Sequence, residues 1–395
     1  MPDASVLSSI QVIDTDTHIS EPADLWTSRV AAKWKDAVPS VGIHPETGRK
    51  HWKVSDVWLA STGFFAQAGA PTYPANDIHR NLEDSDPGSW NAADRLQRMD
   101  EYGIYAQVLY PNLIGFEAPL FMELGPELSL ICTQAYNDFL VDFSSADPKR
   151  FVPIAMVPFW DIEASVAEIK RARDLGHKGV LFANKYEQIG MPSFTDQHWD
   201  PIYAVCQDLE MSINFHVGFS SMSGGTHTAK SKIDRAQNPD PRLSARLTSV
   251  GIMTNADSIA AIVTSGLCER FPTLKFVSVE SGFGYLTYLM ESLDWHWKGY
   301  GAHETSKSDM LPSDYFRRQC YGTFWFERQT LPLLQTYPDN FMFETDYPHP
   351  TAMAPGPASP AERPGDHIVA AFADVPLDVA RKALHDNAAA VYHLD

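Results

Sequence analysis

Eight short apolar runs, each followed by a stretch with helical spacing, predict an α/β chain folded as a (β/α)8 barrel. Three observations carry that reading. The runs are continuous rather than alternating, as strands covered on both faces of a parallel sheet must be. The units number eight, which favours closure over an open, doubly wound sheet. No linker or internal repeat divides the 395 residues, so residues 1–395 are read as one domain.

The first run, at 5–18, ends in Val12-Ile13-Asp14-Thr15-Asp16-Thr17-His18. Residues two apart on a strand share a face, so Asp14, Asp16 and His18 are expected to line one wall, with Glu21 just beyond. Buried carboxylates are costly unless paired or metal-bound, and so many ligating groups close together call for a cation. Residues 22–90 have no periodicity. Pro22, Pro39, Pro45, Pro71, Pro74 and Pro87 punctuate a segment holding Trp26, Trp34, Trp52, Trp58, Phe64, Phe65 and Tyr73. So long a loop is read as an aromatic-rich insertion over the mouth of a pocket.

Regular alternation follows. A helix at 93–102, stopped by Gly103, leads to a strand at 104–110. A helix at 128–143 precedes a strand at 151–157, and a helix at 162–175, closed by Gly176, precedes a strand at 178–182. A helix at 199–209 leads to the strand 212–217, ending in Phe215-His216-Val217-Gly218. A second insertion, 219–245, has a serine- and glycine-rich start at 220–225 and reads as a lid. A helix at 252–268 then leads to the strand 274–280, a helix at 285–297 to the strand 321–326, and a helix at 329–336 to the strand 341–343. A helix at 378–392 closes the chain.

Composition excludes several classes. A net charge of −19 argues against nucleic acid and anionic membrane as partners. No window reads as a membrane span and the N-terminus lacks a signal-peptide pattern, while Cys132, Cys206, Cys268 and Cys320 are scattered as in a reduced, cytoplasmic protein. No GxGxxG or P-loop pattern appears.

In barrels of this kind the chemistry lies at the C-terminal ends of the strands. Those ends carry Asp16, His18, His216, Glu280 and Asp346, with Glu21 nearby. All six are expected metal ligands, with Glu280 and Asp346 also the candidate catalytic groups. Lys185, near the end of the fourth strand, reads either as a metal-bridging carboxylated lysine or as a salt-bridged one.

Three stretches carry a resemblance: Ile13-Asp14-Thr15-Asp16-Thr17-His18, Phe215-His216 and Thr345-Asp346-Tyr347-Pro348-His349. Softer matches are Met99-Asp100-Glu101-Tyr102-Gly103-Ile104, Gly176-His177-Lys178-Gly179-Val180 and Asp386-Asn387-Ala388. With these the chain resembles the amidohydrolase-related family, in its aminocarboxymuconate-semialdehyde decarboxylase-like branch. That implies a TIM barrel of the metal-dependent hydrolase type.

The departures from the branch pattern bear on chemistry. Asp16 replaces the first-strand histidine, Val279-Glu280-Ser281-Gly282 stands where the branch carries histidine-glycine-glycine, and Glu21 is an added acid. Four carboxylates and two imidazoles leave about two negative charges uncompensated around one divalent ion, whereas two ions bring the site near neutrality. Oxygen-rich ligation suits iron or manganese better than zinc. The set is similar to that of the TIM-barrel non-haem di-iron monooxygenases, a group that includes a hydroxylase of platensimycin/platencin diterpenoid biosynthesis.

That resemblance implies two iron ions, with Glu280 bridging, and hydroxylation of a bulky apolar substrate. It also implies a small-molecule partner of coenzyme A thioester type, with Lys230, Lys232, Arg235, Arg242 and Arg246 as candidate phosphate contacts, and an external electron donor. Glu344 and His349 are expected to orient the ligands. The alternative is a metal-dependent hydrolase or non-oxidative decarboxylase with one zinc or manganese, in which Asp346 shuttles the proton. A homo-oligomer is compatible with either.

Overall fold

Strand β1 (Val12–Ile19) is buried along its whole length, including its two aspartates and its histidine. Around it the computed structural model, which describes residues 4–70, 80–116, 118–218, 240–306, 308–357 and 359–394, arranges eight strands. Their order is β1, β5 (Ile104–Pro111), β6 (Phe151–Ala155), β7 (Gly179–Leu181), β8 (Ser212–His216), β9 (Phe276–Val279), β10 (Cys320–Phe324) and β11 (Phe341–Phe343). Each neighbouring pair is parallel. β1 meets the segment just after β11 through a parallel bridge, Thr17 to Tyr347, which brings the two ends of the barrel together. The fold is the expected (β/α)8 barrel.

Helices cover the outside, each set by local chemistry. Ala92–Tyr102 begins at Asn91, whose side chain accepts from Ala93 N and Asp94 N, and ends at Gly103 in the left-handed region at φ 73°. Ile162–Leu175 begins at Asp161, which accepts from Ala164 N, and ends at Gly176.

Some elements differ from expectation. The first run does not extend from residue 5: Ala4–Leu7 is helical, and the hydroxyls of Ser8 and Ser9 donate back to Ser5 O and Val6 O. The region 22–90 is not a plain loop. Within it β2 (Ser40–Ile43), β3 (Lys50–Val54) and β4 (Val57–Ser61) form an antiparallel sheet. The helix expected at 252–268 is split into Asn255–Thr264 and Leu267–Arg270, the last following Gly266 at φ 78°, and a further helix, Pro241–Ile252, begins inside the expected second insertion. Residues 329–336 hold a 3-10 turn, Leu331–Gln335. Pro241–Thr264 is long and apolar enough by composition to cross a membrane, yet it is two helices, and the second buries Ile259, Ile262 and Val263. Tyr73, the 220–225 segment, Lys230, Lys232 and Arg235 lie outside the described residues. Arg242 and Arg246 are exposed on Pro241–Ile252.

The insertion is tied to the mouth of the barrel. Gln67 N and Ala68 N both donate to Pro348 O, at 2.8 and 2.9 Å, in the loop just after β11. That anchoring sets Phe65 above the strand ends, in contact with His349.

Candidate metal centre

The register of β1 against β5 shifts between Asp14 and Thr17. Strict alternation is therefore broken, and Asp14 is not grouped with Asp16 and His18, the two that reach the centre. From β8, His216 projects to the same place. His18 Nε2 and His216 Nε2 are 3.0 Å apart, and each is 3.4 Å from Asp16 Oδ1. The other ring nitrogens face carbonyls: His18 Nδ1 is 3.1 Å from Pro111 O and His216 Nδ1 is 2.5 Å from Val217 O. A carbonyl fixes Nδ1 as the proton-bearing atom, so both Nε2 lone pairs point at one another and at a carboxylate. Three electron-rich atoms facing one point is a repulsive arrangement unless a cation sits between them.

Asp346 adds a fourth group. It follows β11 with its backbone in the left-handed region at φ 57°, a conformation that costs a non-glycine residue of order 1–2 kcal/mol. Its Oδ1 lies 3.8 Å from His18 Nε2 and 2.9 Å from His349 Nδ1, while Oδ2 accepts from Thr351 Oγ1. The His349 contact is close but poorly aligned for a hydrogen bond, so Asp346 Oδ1 and both oxygens of Asp16 are buried without a hydrogen-bonding partner. Such atoms are the natural ligands of a metal. Among the described residues two overlapping groups, Asp16–His18–His216 and His18–Asp346–His349, have ligating atoms close enough to hold one ion.

The electrostatics follow from burial. Burial and the neighbouring carboxylates push Glu280, Glu344 and Asp346 well above the usual carboxylate range. Burial, reinforced by the neighbouring imidazoles, lowers His18 and His349 to about 3. Burial also opposes a charge on His216, but Asp16 and Glu280 overcome it and raise that imidazole to about 9. Asp16, despite burial, is held well below the usual range by His216 and His18. A proton on His216 is the smallest cation this cluster can hold, and a divalent ion would take its place.

The remaining predicted residues lie as follows. Glu280 comes directly after β9, also in the left-handed region at φ 53°. Its Oε2 is 3.7 Å from His216 Nδ1 and its Oε1 is 3.4 Å from Thr351 Oγ1, so it borders the centre. Glu344 Oε2 accepts from Glu280 N at 3.3 Å, and its Oε1 is a further buried oxygen with no hydrogen-bonding partner. Glu21, expected as a ligand, lies apart from the two ligand groups. Its Oε1 accepts from Asn112 N and Leu113 N at 3.0 and 2.7 Å, capping the short helix Leu113–Phe116. Two backbone donors occupy that carboxylate, and it joins neither ligand group. Lys185 pairs with Asp257 on Asn255–Thr264 and bridges nothing in the centre.

His349 is closer to the chemistry than an orienting group. Its ring stacks on His18 at 3.7 Å between centroids, and its Nε2 is 2.7 Å from Asn112 Oδ1. Sequence reasoning missed Phe116, Phe65 and Thr351. Phe116 lies 5.4 to 5.8 Å from His18, His216 and His349, and Phe65 stacks on Phe116 at 5.4 Å. These rings form an apolar wall beside the imidazoles. Nothing in the sequence distinguishes Phe65 from the other aromatics of its insertion.

A barrel whose strand ends converge buried imidazoles and bare carboxylate oxygens defines a metal-dependent enzyme of the amidohydrolase type. The chain belongs to the amidohydrolase family, whose model matches residues 13–394. It is 27% identical to a gamma-resorcylate decarboxylase of Polaromonas sp. (strain JS666), over 64% of this chain and 76% of that one. Its fold is similar to an amidohydrolase, map2389c, of Mycobacterium avium subsp. paratuberculosis K-10, with TM-score 0.72, 21% identity and coverage of 97% and 99% of the two chains. It is also similar to a 5-carboxyvanillate decarboxylase of Novosphingobium aromaticivorans, solved with manganese and 4-hydroxy-3-methoxy-5-nitrobenzoic acid, with TM-score 0.63, 19% identity and coverage of 98% and 97%.

Proposed function

We propose that this protein is a metal-dependent, non-oxidative decarboxylase of a small carboxylated, ring-containing substrate. The observation that carries the reading is the convergence of Asp16, His18, His216 and Asp346, with both oxygens of Asp16 and Oδ1 of Asp346 buried and without a hydrogen-bonding partner. The matched decarboxylase supports it. Those four residues would hold one divalent ion, and manganese suits their mixed oxygen and nitrogen donors. When bound, the ion supplies positive charge to hold the substrate carboxylate and an adjacent oxygen.

The protein supplies the rest. Phe116 and Phe65 give a planar substrate an apolar face and exclude water. Loss of carbon dioxide leaves an electron pair on the ring carbon, and a proton must replace the departing group. Asp346, with Oδ1 turned to the centre and Oδ2 accepting from Thr351 Oγ1, is the carboxylate placed to relay that proton. The balance is substrate carboxylate plus one proton giving carbon dioxide and the ring with hydrogen in place of the carboxylate, with no electrons exchanged.

A second reading, a binuclear iron monooxygenase, rests on a different observation: the buried Glu344 and the mostly buried Glu280 add two carboxylates beside Asp16 and Asp346. One divalent ion leaves that set net negative. This reading requires an external electron donor, and a coenzyme A-linked substrate is compatible with the exposed Arg242 and Arg246. Metal analysis with a carbon dioxide release assay on a panel of hydroxybenzoates separates the two. About one manganese or zinc per chain, with release unaffected by removing oxygen, supports the decarboxylase. About two iron per chain, with oxygen consumed, overturns it.

A further inference from the structure

Asp14 belongs to the opening motif yet takes no part in the ligand groups. Its Oδ1 accepts from Thr345 N at 2.8 Å and from Asp16 N at 3.4 Å. Its Oδ2 accepts from Thr345 Oγ1 at 2.6 Å and from Gln107 Nε2 at 3.1 Å. Every group that hydrogen-bonds this carboxyl is a donor. Gln107 cannot turn round to suit a different partner. Its Oε1 accepts from Arg95 Nη1 at 3.2 Å, and a guanidinium only donates.

Arg95 is fully buried. Its Nη2 donates to His18 O at 2.6 Å, its Nε donates to Gly88 O at 2.5 Å, and its guanidinium lies 4.5 Å over the Tyr347 ring. One chain of hydrogen bonds thus runs from the backbone of His18 through Arg95, Gln107 and Asp14 to Thr345, next to Asp346. His18 and Asp346 are far apart in sequence, and besides this chain the backbone of β1 meets the segment after β11 only through a single bridge, with Asp346 N donating to Asp16 O at 2.9 Å and His18 N to Tyr347 O at 2.7 Å among the described residues.

We propose that Asp14 is a positioning residue: with Gln107 and Arg95 it fixes the distance between the metal-holding groups of β1 and that of β11, Asp346. This rests on the metal reading above. The direction of the chain matters, because D14N sets an N–H2 donor against the Gln107 donor that Arg95 locks in place. Reversing both ends restores it. In D14N/Q107E the carboxylate at 107 accepts both from Arg95 and from the side-chain amide at 14, and the net charge is unchanged.

The test is Mn(II) binding, read from the free-ion electron paramagnetic resonance signal, on wild type, D14N, Q107E and D14N/Q107E. Melting temperatures are recorded for each. D14N is expected to lose about 10- to 100-fold in affinity, the usual effect of removing a group that orients a ligand. Q107E, with two carboxylates opposed, is expected to lose as much, and the double variant to recover to within a few-fold of wild type. A merely structural role predicts no such rescue. If D14N does not fold, T345V against T345S is the substitute pair, with loss expected for valine and retention for serine. D14N binding as wild type does, or a folded double variant with no recovery, overturns the inference and leaves the metal reading standing. Equal affinity in T345V and T345S does the same. A wild type that binds no Mn(II) overturns the metal reading and this inference together.

Discussion

His18 Nε2 and His216 Nε2 face each other at 3.0 Å, and the carboxylate of Asp16 is 3.4 Å from both. With each Nδ1 committed to a carbonyl, the pair offers two lone pairs to one point. H216A is therefore expected to lose at least ~100-fold in Mn(II) affinity while keeping its fold, because the ligand is replaced by a small apolar group. Titration of Mn(II) with circular dichroism as the fold control checks this, and unchanged affinity refutes it.

Glu280 decides how many ions the centre takes. If it only borders a single ion, E280Q retains about one metal per chain, and E280H is tolerated in the same place. If it bridges two, both variants lose metal, since neither can supply two anionic oxygens. Elemental analysis of the purified variants gives the answer directly.

Glu21 carries a structural load. E21A leaves Asn112 N and Leu113 N without their buried acceptor and is expected to cost about 1–3 kcal/mol in urea unfolding, with metal content unchanged. E21Q keeps an acceptor oxygen and should cost less. A loss of metal at full stability would return Glu21 to the ligand set.

Phe65 tests the aromatic wall. F65A removes the ring stacked on Phe116, and kcat/KM for a ring-containing acid is expected to fall about tenfold, mostly through KM, at constant metal content. An unchanged KM shows that the substrate does not use this face.

His177 gives a pH signature remote from the centre. Its ring is buried, with Nε2 on Asn137 O at 3.2 Å and Nδ1 without a hydrogen-bonding partner, and burial lowers it to about 4. The unfolded imidazole takes up a proton below ~6.5 and the folded one does not. The contribution to stability is therefore complete above that pH and is lost as pH falls toward 4, by roughly 3 kcal/mol in all. Urea midpoints at pH 4.5 and 7 should converge in H177N relative to wild type. Parallel behaviour of the two proteins rules the assignment out.

The barrel was legible because β5, β6 and β9 are mostly apolar runs alternating with helices. The small sheet of the insertion was not. Ser40–Ile43, Lys50–Val54 and Val57–Ser61 are four or five residues long, and Lys50–Val54 mixes charged and aromatic residues. Strand-end position singled out Asp16, His18, His216 and Asp346, which the structure brings together. It misled for Glu21, because which backbone amides a side chain meets depends on how Leu113–Phe116 is placed after β5, a long-range fact. Asp14 was misread for a similar reason. Alternation puts it beside Asp16, but the register shift between Asp14 and Thr17 is invisible in a single strand.

The bridge between β1 and β11 also has a consequence for synthesis. Asp16 and His18 leave the ribosome first, and Asp346 emerges only near the end of the chain. A nascent polypeptide can present the two-histidine, one-carboxylate group of Asp16, His18 and His216, but not the fourth donor or the Asp14–Thr345 clasp. Metal captured before β11 emerges would meet an unfinished cup, and truncated translation products lacking β11 would compete poorly for the ion.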